Sequence, residues 1–346
     1  MNFLTKSFHN TFLSGLVLLL SFSATAQETD LEIIYGQDEK NVYLTNKVKE
    51  VYVESDEYYN GTLIRPRFVS DYYLMDSNGQ MIQKKYAHNG KLTGKTKYEY
   101  NSKGVLEVST SFVRSADASR DTTWKPSSQH RHVKAGKKAP GHYRWDTTAG
   151  KWVAEKSGRT WVKNDTTYVE ERTGSSQKSK SISRFYLLGS DPTILRHDHV
   201  QFSPKGMSEP SYYYTKTENG KVVESGKMDF EMEIMAYLQQ HPEASRLLFT
   251  KYGFYPVMDK IARHSPGRRV PSRTYVYTAQ GQLMQEKGYI TITYTRDASG
   301  RVVTRTSDEG IITNYYYNEN GLLEGQVSIH DDGRPYDSKF YRYVFH

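Results

Sequence analysis

The chain has 346 residues, no cysteine, 29 tyrosines and 36% hydrophobic residues. Without cysteine there can be no disulfide framework, thiolate metal site, cysteine nucleophile or lipid on an N-terminal cysteine. The formal net charge of +8 sits mostly in one segment: residues 113–185 hold 16 Lys and Arg against 7 Asp and Glu, a local +9. Residues 1–26 read as a secretory signal peptide, with Lys6 ahead of the apolar run Phe12 to Phe22 and a small-residue site at Ala24-Thr25-Ala26. The run is too short for the roughly 20 residues of a spanning helix. The expectation is a mature start at Gln27, a periplasmic or secreted location and no later transmembrane segment. In that compartment a basic segment points to an anionic glycan, lipopolysaccharide or an acidic envelope protein rather than to nucleic acid.

From Gln27 to Phe112, and again from Arg269 to His346, a short unit repeats. YEYNSKGVL begins at Tyr98, YVYTAQGQL at Tyr275, YTRDASGRV at Tyr294 and YYYNENGLL at Tyr315. YLMDSNGQM from Tyr73 and YTKTENGKV from Tyr214 fit more loosely. Tyrosines six and four residues before the glycine share one strand face, because strand side chains alternate. Asp or Asn three residues before a glycine marks a type I turn. A left-handed glycine after such a turn makes the bulge that closes a hairpin. Each unit therefore predicts strand, four-residue turn, strand.

The pattern Y-x-Y-[DN]-x-x-G-x-[LV] resembles the YD repeat of Rhs-type bacterial surface proteins and, more distantly, the β-hairpin repeats of MORN-type proteins. It covers about 75 C-terminal residues well, residues 72–112 reasonably and one isolated unit at 212–224. Asn or Thr often replaces Asp, and the Arg after Gly survives only at Arg301. The resemblance implies an extended, repetitive antiparallel sheet.

Residues 113–185 form a different composition, expected as a basic insert. They hold all four tryptophans, Trp124, Trp145, Trp152 and Trp161, and three copies of Asp-Thr-Thr. Aromatic rings interleaved with Lys and Arg suit an anionic sugar, with Trp145, Trp152 and Trp161 as stacking platforms. Alternatively, Thr122, Thr147 and Thr166 resemble acceptor sites for O-glycosylation in Bacteroidetes exported proteins. A third reading is a small tryptophan core with Asp-Thr turns. Gly136 to Gly141 is expected as a loop. A β segment is expected over 186–225.

Residues 226–268 are expected as a helical insertion. Met228, Met232, Met235 and Leu238 fall at helical spacing, widened by Phe230 and Ile234, and predict a face packed on the sheet. Pro242 can open a second helix with Leu247, Leu248 and Phe249 as its apolar face and Gly253 at its end, and a short third turn spans Val257 to Arg263.

The fold expectation is mainly β: repetitive antiparallel hairpins forming an extended sheet, with a short α-helical insertion. No concentrated catalytic motif stands out. His197 and His199 alternate on one strand face, but only Asp191 could join them, so no metal or other cofactor is expected. The functional expectation is a non-enzymatic binding or scaffolding protein of the bacterial cell envelope. Ligand contacts would come from Tyr275, Tyr277, Tyr294, Tyr315 and Tyr317, unless these rings only pack across strands. The alternative is a glycan-acting enzyme with paired carboxylates in a groove.

Overall fold

A computed structural model describes residue 35 and residues 39–88, 91–114, 124–131, 141–146, 149–163, 166–173, 179–188, 191–203, 206–207, 210–244, 255–265 and 267–346. The expected signal peptide, the Gly136-to-Gly141 loop and the Leu247–Phe249 face lie outside the described residues or largely so. The elements in chain order begin with α1 (Glu39–Thr45), β1 (Val48–Tyr59), β2 (Thr62–Met75), β3 (Met81–His88), β4 (Lys91–Tyr100), β5 (Leu106–Arg114) and β6 (Trp124–Arg131). Next come β7 (Gly141–Asp146), β8 (Lys151–Lys163), β9 (Thr166–Thr173), β10 (Ser179–Leu188), β11 (Asp191–Ser203), β12 (Gly206–Met207), β13 (Ser211–Glu218) and β14 (Lys221–Asp229). Helices α2 (Glu231–Gln240) and α3 (Tyr255–His264) precede β15 (Arg268–Tyr277), β16 (Leu283–Lys287), β17 (Thr291–Arg296) and β18 (Val302–Ser307). The last strands are β19 (Ile311–Tyr317), β20 (Leu323–His330) and β21 (Pro335–Phe345). The fold is mainly β and antiparallel, with a short helical insertion.

The chain divides into two compact units. The hairpin unit combines Glu28–His132, His142–Val153 and Val276–His346, and the central unit is mainly Ala154–Tyr275. In the hairpin unit the N-terminal and C-terminal hairpins are one sheet. Strand β21 pairs antiparallel with β1 from Val48↔Phe345 to Glu57↔Asp337. From that joint, neighbours pair in succession outward through β2, β3, β4, β5 and β6 on one side. On the other side they run through β20, β19, β18, β17 and β16.

The turns follow from their sequence. In the units ending at Gly79, Gly104, Gly300 and Gly321, one side-chain oxygen accepts two backbone amides. Asp76 takes those of Asn78 and Gln80 at 2.8 and 2.9 Å. Asn101 takes those of Lys103 and Val105, Asp297 those of Ser299 and Arg301, and Asn318 those of Asn320 and Leu322. Each glycine then sits at positive φ, between 71° and 83°, and closes the bulge as expected. The unit at Gly220 differs. Asn219 and Gly220 have φ of 51° and 76°, and Glu218 pairs with Lys221, so its loop has two residues. Thr217 supplies no carboxamide or carboxylate to grip the wider turn, and the Asn-Gly pair takes its own preferred tight turn. Asn60-Gly61 does the same between β1 and β2.

The central unit pairs β8, β9, β10, β11, β13, β14 and β15 in succession. Its helices cover a core of Ile194, Tyr212, Tyr214, Met228, Phe230, Val257, Ile261 and Ala262. The expected face docks in part. Met228 is a strand residue of β14, and Met232 is 78% exposed. Of the expected face, Met228 and Phe230 are in the core and Ile234 and Leu238 pack on it together with Tyr237, while Met232 and Met235 stay exposed. A helix starting at Glu231 turns that face inward, and branched or aromatic side chains fill the fixed space above Tyr212 and Phe230. Residues 242–244 form a tight turn, and the rest of the expected second helix up to Gly253 lies outside the described residues.

Candidate functional site

In two units the tyrosine four residues before the glycine is a latch. Tyr100 donates its hydroxyl to Met81 O at 2.8 Å, and Tyr317 to Val302 O at 2.8 Å. Tyr343, at the matching place on β21, donates to Leu323 O at 2.6 Å. In the unit where arginine replaces tyrosine, Arg296 Nη2 reaches Leu283 O at 3.0 Å. Every acceptor stands two residues after the glycine of the preceding unit. Burial pushes the Tyr100 hydroxyl up to about 12 and raises that of Tyr317 further, so both stay protonated donors. Tyr317 also lies under the Arg301 guanidinium, 4.5 Å from its ring centre. Among the other repeat-face tyrosines, Tyr294 and Tyr315 are each 9% exposed, while Tyr275 and Tyr277 are half-buried.

A second arrangement spans the hairpin unit. Cross-strand partners run in one unbroken row: Arg342 on β21, Tyr52 on β1, Tyr72 on β2, Lys85 on β3, Lys95 on β4, Phe112 on β5 and Pro126 on β6. The opposite face of β1 buries Val51, Val53 and Ser55. Within the row, cations sit on rings. Arg342 is 4.1 Å from the Tyr52 ring centre and Lys85 4.5 Å from that of Tyr72. Lys95 is 4.6 Å from Phe112 and 5.0 Å from Trp124. Tyr52 and Tyr72 meet edge-on at 5.0 Å. Burial and then the Glu50 carboxylate push the Tyr72 hydroxyl up to about 12. The rings on β1, β2, β5 and β6 thus stand in line with the lysines of β3 and β4, an aromatic and cationic strip with polar edges.

Sequence reasoning missed this row. A signal existed: Lys95, Lys97 and Glu99 alternate with Thr96, Tyr98 and Tyr100, which separates a charged face from a tyrosine face. Matching the seven strands required their registers as well.

The insert residues are spread over several strands. Trp145 is half-buried on β7, and Trp161 stacks on Tyr168 with centroids 5.1 Å apart and planes 5° off parallel. Trp152 is on β8, and its side chain lies outside the described residues. Thr166 opens β9 opposite Lys163. Thr122 and Thr147 lie outside the described residues.

In the central unit, Asp198 is 2% exposed and Arg196 1%. Asp198 accepts from Arg184 Nη2 at 2.9 Å, Tyr186 Oη at 3.0 Å and Arg196 Nε at 3.1 Å. Arg196 reaches on to Ser265 O at 3.3 Å, and Ser265 Oγ donates to Glu233 at 2.8 Å. The network ties β10 and β11 to both helices. With three donors on one carboxylate, it fixes structure rather than shuttling protons. His197 stacks on Phe185 at 4.4 Å, and His199 Nδ1 lies 3.0 Å from Ser183 Oγ. Asp191 accepts from the amide and hydroxyl of Thr193. Among the described residues no three metal-ligating side chains come together.

A cleft of about 430 Å³ opens beside α2, lined by Tyr212, Phe230, Ile234, Met235 and Met258, with Asp229 and Glu231 also present. Asp229 bonds the Glu231 amide and Arg268 Nη2, which hold its carboxyl below the usual range. A general acid requires the opposite shift.

No family model and no curated protein matches this chain. Among solved structures, a porin-like protein from Bacteroides uniformis is 13% identical, covers 86% of this chain and 97% of its own, and has a TM-score of 0.23. A porin-like protein from Bacteroides vulgatus is 10% identical over 86% of this chain and 98% of its own, with a TM-score of 0.21. A DUF3836 family protein from the same species is 16% identical over 24% of this chain and 84% of its own, with a TM-score of 0.19. Among the described residues, no helix is long and apolar enough to cross a membrane.

Proposed function

We propose that this chain is an exported, non-enzymatic binding or scaffolding protein of the bacterial cell envelope, built from YD-like hairpins, that takes a glycan on the aromatic row of its hairpin unit. The observation that carries this reading is the register that puts Tyr52 and Tyr72 on β1 and β2, and Phe112 and Pro126 on β5 and β6, in one row on one face of the sheet. Rings held in line by backbone pairing are preorganised for stacking, so little ordering entropy opposes a sugar chain. Export follows the signal-like residues 1–26, and Tyr275, Tyr277, Tyr294, Tyr315, Tyr317, Trp145, Trp152 and Trp161 are proposed as separate ligand contacts, each within its own unit. Modification of Thr122, Thr147 and Thr166 is proposed in the same compartment.

The test is a glycan array probed with the purified protein, followed by Tyr72→Ala and Trp124→Ala. Loss of about 1 kcal/mol or more of binding per ring with an unchanged unfolding midpoint supports the reading. Binding that survives both substitutions places the ligand elsewhere. Release of shortened products from a bound glycan establishes the glycan-acting enzyme instead.

A further inference from the structure

Lys85 and Lys95 are direct cross-strand partners on β3 and β4. Like charges placed opposite each other destabilise a sheet. Lys97 adds a third ammonium two residues along β4, on the same face. Among the described residues no carboxylate pairs with these three lysines. The nearest anchors of the first two are aromatic: Tyr72 for Lys85, and Phe112 with Trp124 for Lys95. Partial burial, then Lys97 and Lys85, lower the Lys95 ammonium below its usual value. The arrangement is therefore a cationic centre between two aromatic walls, with no carboxylate among the described residues to offset its charge.

We propose that Lys85 and Lys95 form an anion-binding pair and that the row takes an acidic polysaccharide, its carboxylates or sulfates on the ammonium groups and its sugar rings against the edges of Tyr72 and Trp124. This rests on the glycan reading above and adds the sign of the ligand. A linear polymer fits better than a lipid headgroup. The row crosses strands spaced about 4.8 Å apart, so it presents repeated contacts along a line. Its rings are capped by cations rather than projecting as an apolar wedge. Bound anions remove the lysine repulsion, an interaction that a neutral chain cannot supply.

The experiment measures binding of the purified protein to polygalacturonate, heparin, neutral dextran and phosphatidylglycerol vesicles, with and without Lys85→Gln/Lys95→Gln. The expected result is tighter binding of the two acidic chains, weakened about tenfold by the double substitution and weakened by added salt. Dextran binding is unchanged by the substitution. Removing like charges does not threaten folding, and the unfolding midpoint of the double variant is expected to hold or rise. Equal binding of acidic and neutral chains, insensitive to salt and substitution, overturns the anion pair and leaves the glycan reading intact. Binding to vesicles alone overturns the polysaccharide assignment. Binding to no polysaccharide of either charge overturns both proposals.

Discussion

The Tyr317 hydroxyl donates to Val302 O across one repeat, at 2.8 Å. Val302 is fully buried, so its carbonyl has no water to replace that donor. Tyr317→Phe is expected to cost about 1–3 kcal/mol, the penalty of an unmade buried hydrogen bond. Tyr289, almost fully exposed, is the control, and Tyr289→Phe is expected to stay within ~0.5 kcal/mol. Urea unfolding of the two variants checks this. Equal midpoints would show that the latch adds nothing to stability.

Glycine turns should not all be equally strict. Gly79 and Gly333 both sit at positive φ, 71° and 84°. A Cβ on Gly79 would meet Lys40 O at 2.7 Å, because α1 packs on that turn, whereas one on Gly333 would meet nothing within 4 Å. Gly333→Ala is expected to cost only the left-handed penalty of about 1–2 kcal/mol. Gly79→Ala is expected to cost that and more, since α1 must shift. Thermal unfolding of both variants compares them directly, and equal losses would mean that α1 does not press on the Gly79 turn.

These two cases mark what is readable from sequence and what is not. The Tyr and Asp/Asn-to-Gly spacing specifies strand face, turn and bulge locally, so the hairpins were legible. Helix α1 was not, because seven residues are too few for a helical period to stand out. Nor was the Tyr52–Arg342 contact, which needs the two ends of the chain to pair. The row through Phe112 depends on a register shift between Ser111 and Phe112. A one-residue bulge moves every later side chain to the other face, and Pro126 beside it marks an edge or a bulge without saying which. Met232 and Met235 kept helical spacing but were placed on the wrong side of α2, since their periodicity cannot say which neighbouring stripe wins the core.

The Asp198 network makes an unequal prediction for its members. Asp198→Ala leaves Arg184 and Arg196 buried without their carboxylate and is expected to cost about 3–5 kcal/mol. Arg196→Met keeps most of the volume beneath Phe230, whose ring centre is 4.5 Å from the guanidinium. Asp198 then retains Arg184 and Tyr186, so a smaller loss is expected. Chemical denaturation of both variants tests the order. A larger loss for Arg196→Met would identify the aromatic contacts, not the carboxylate, as the keystone.

His197 gives the central unit a pH dependence. Burial, then the neighbouring His199, lower its ring from the usual 6.5 to about 4, and its Nε2 is buried with no hydrogen-bond partner among the described residues. The folded state therefore favours neutral imidazole. Between pH 6.5 and about 4 the unfolded chain binds the extra proton, so stability rises with pH across that window. The contribution is fully present above pH 6.5 and is lost as the pH falls through the window, up to about 3 kcal/mol. His197→Phe keeps the flat ring against Phe185 and removes the titration. Its unfolding free energy, followed from pH 7.5 to 4.5, is expected to fall less than that of the unsubstituted protein. Parallel curves for the two proteins would show that His197 does not titrate differently on folding.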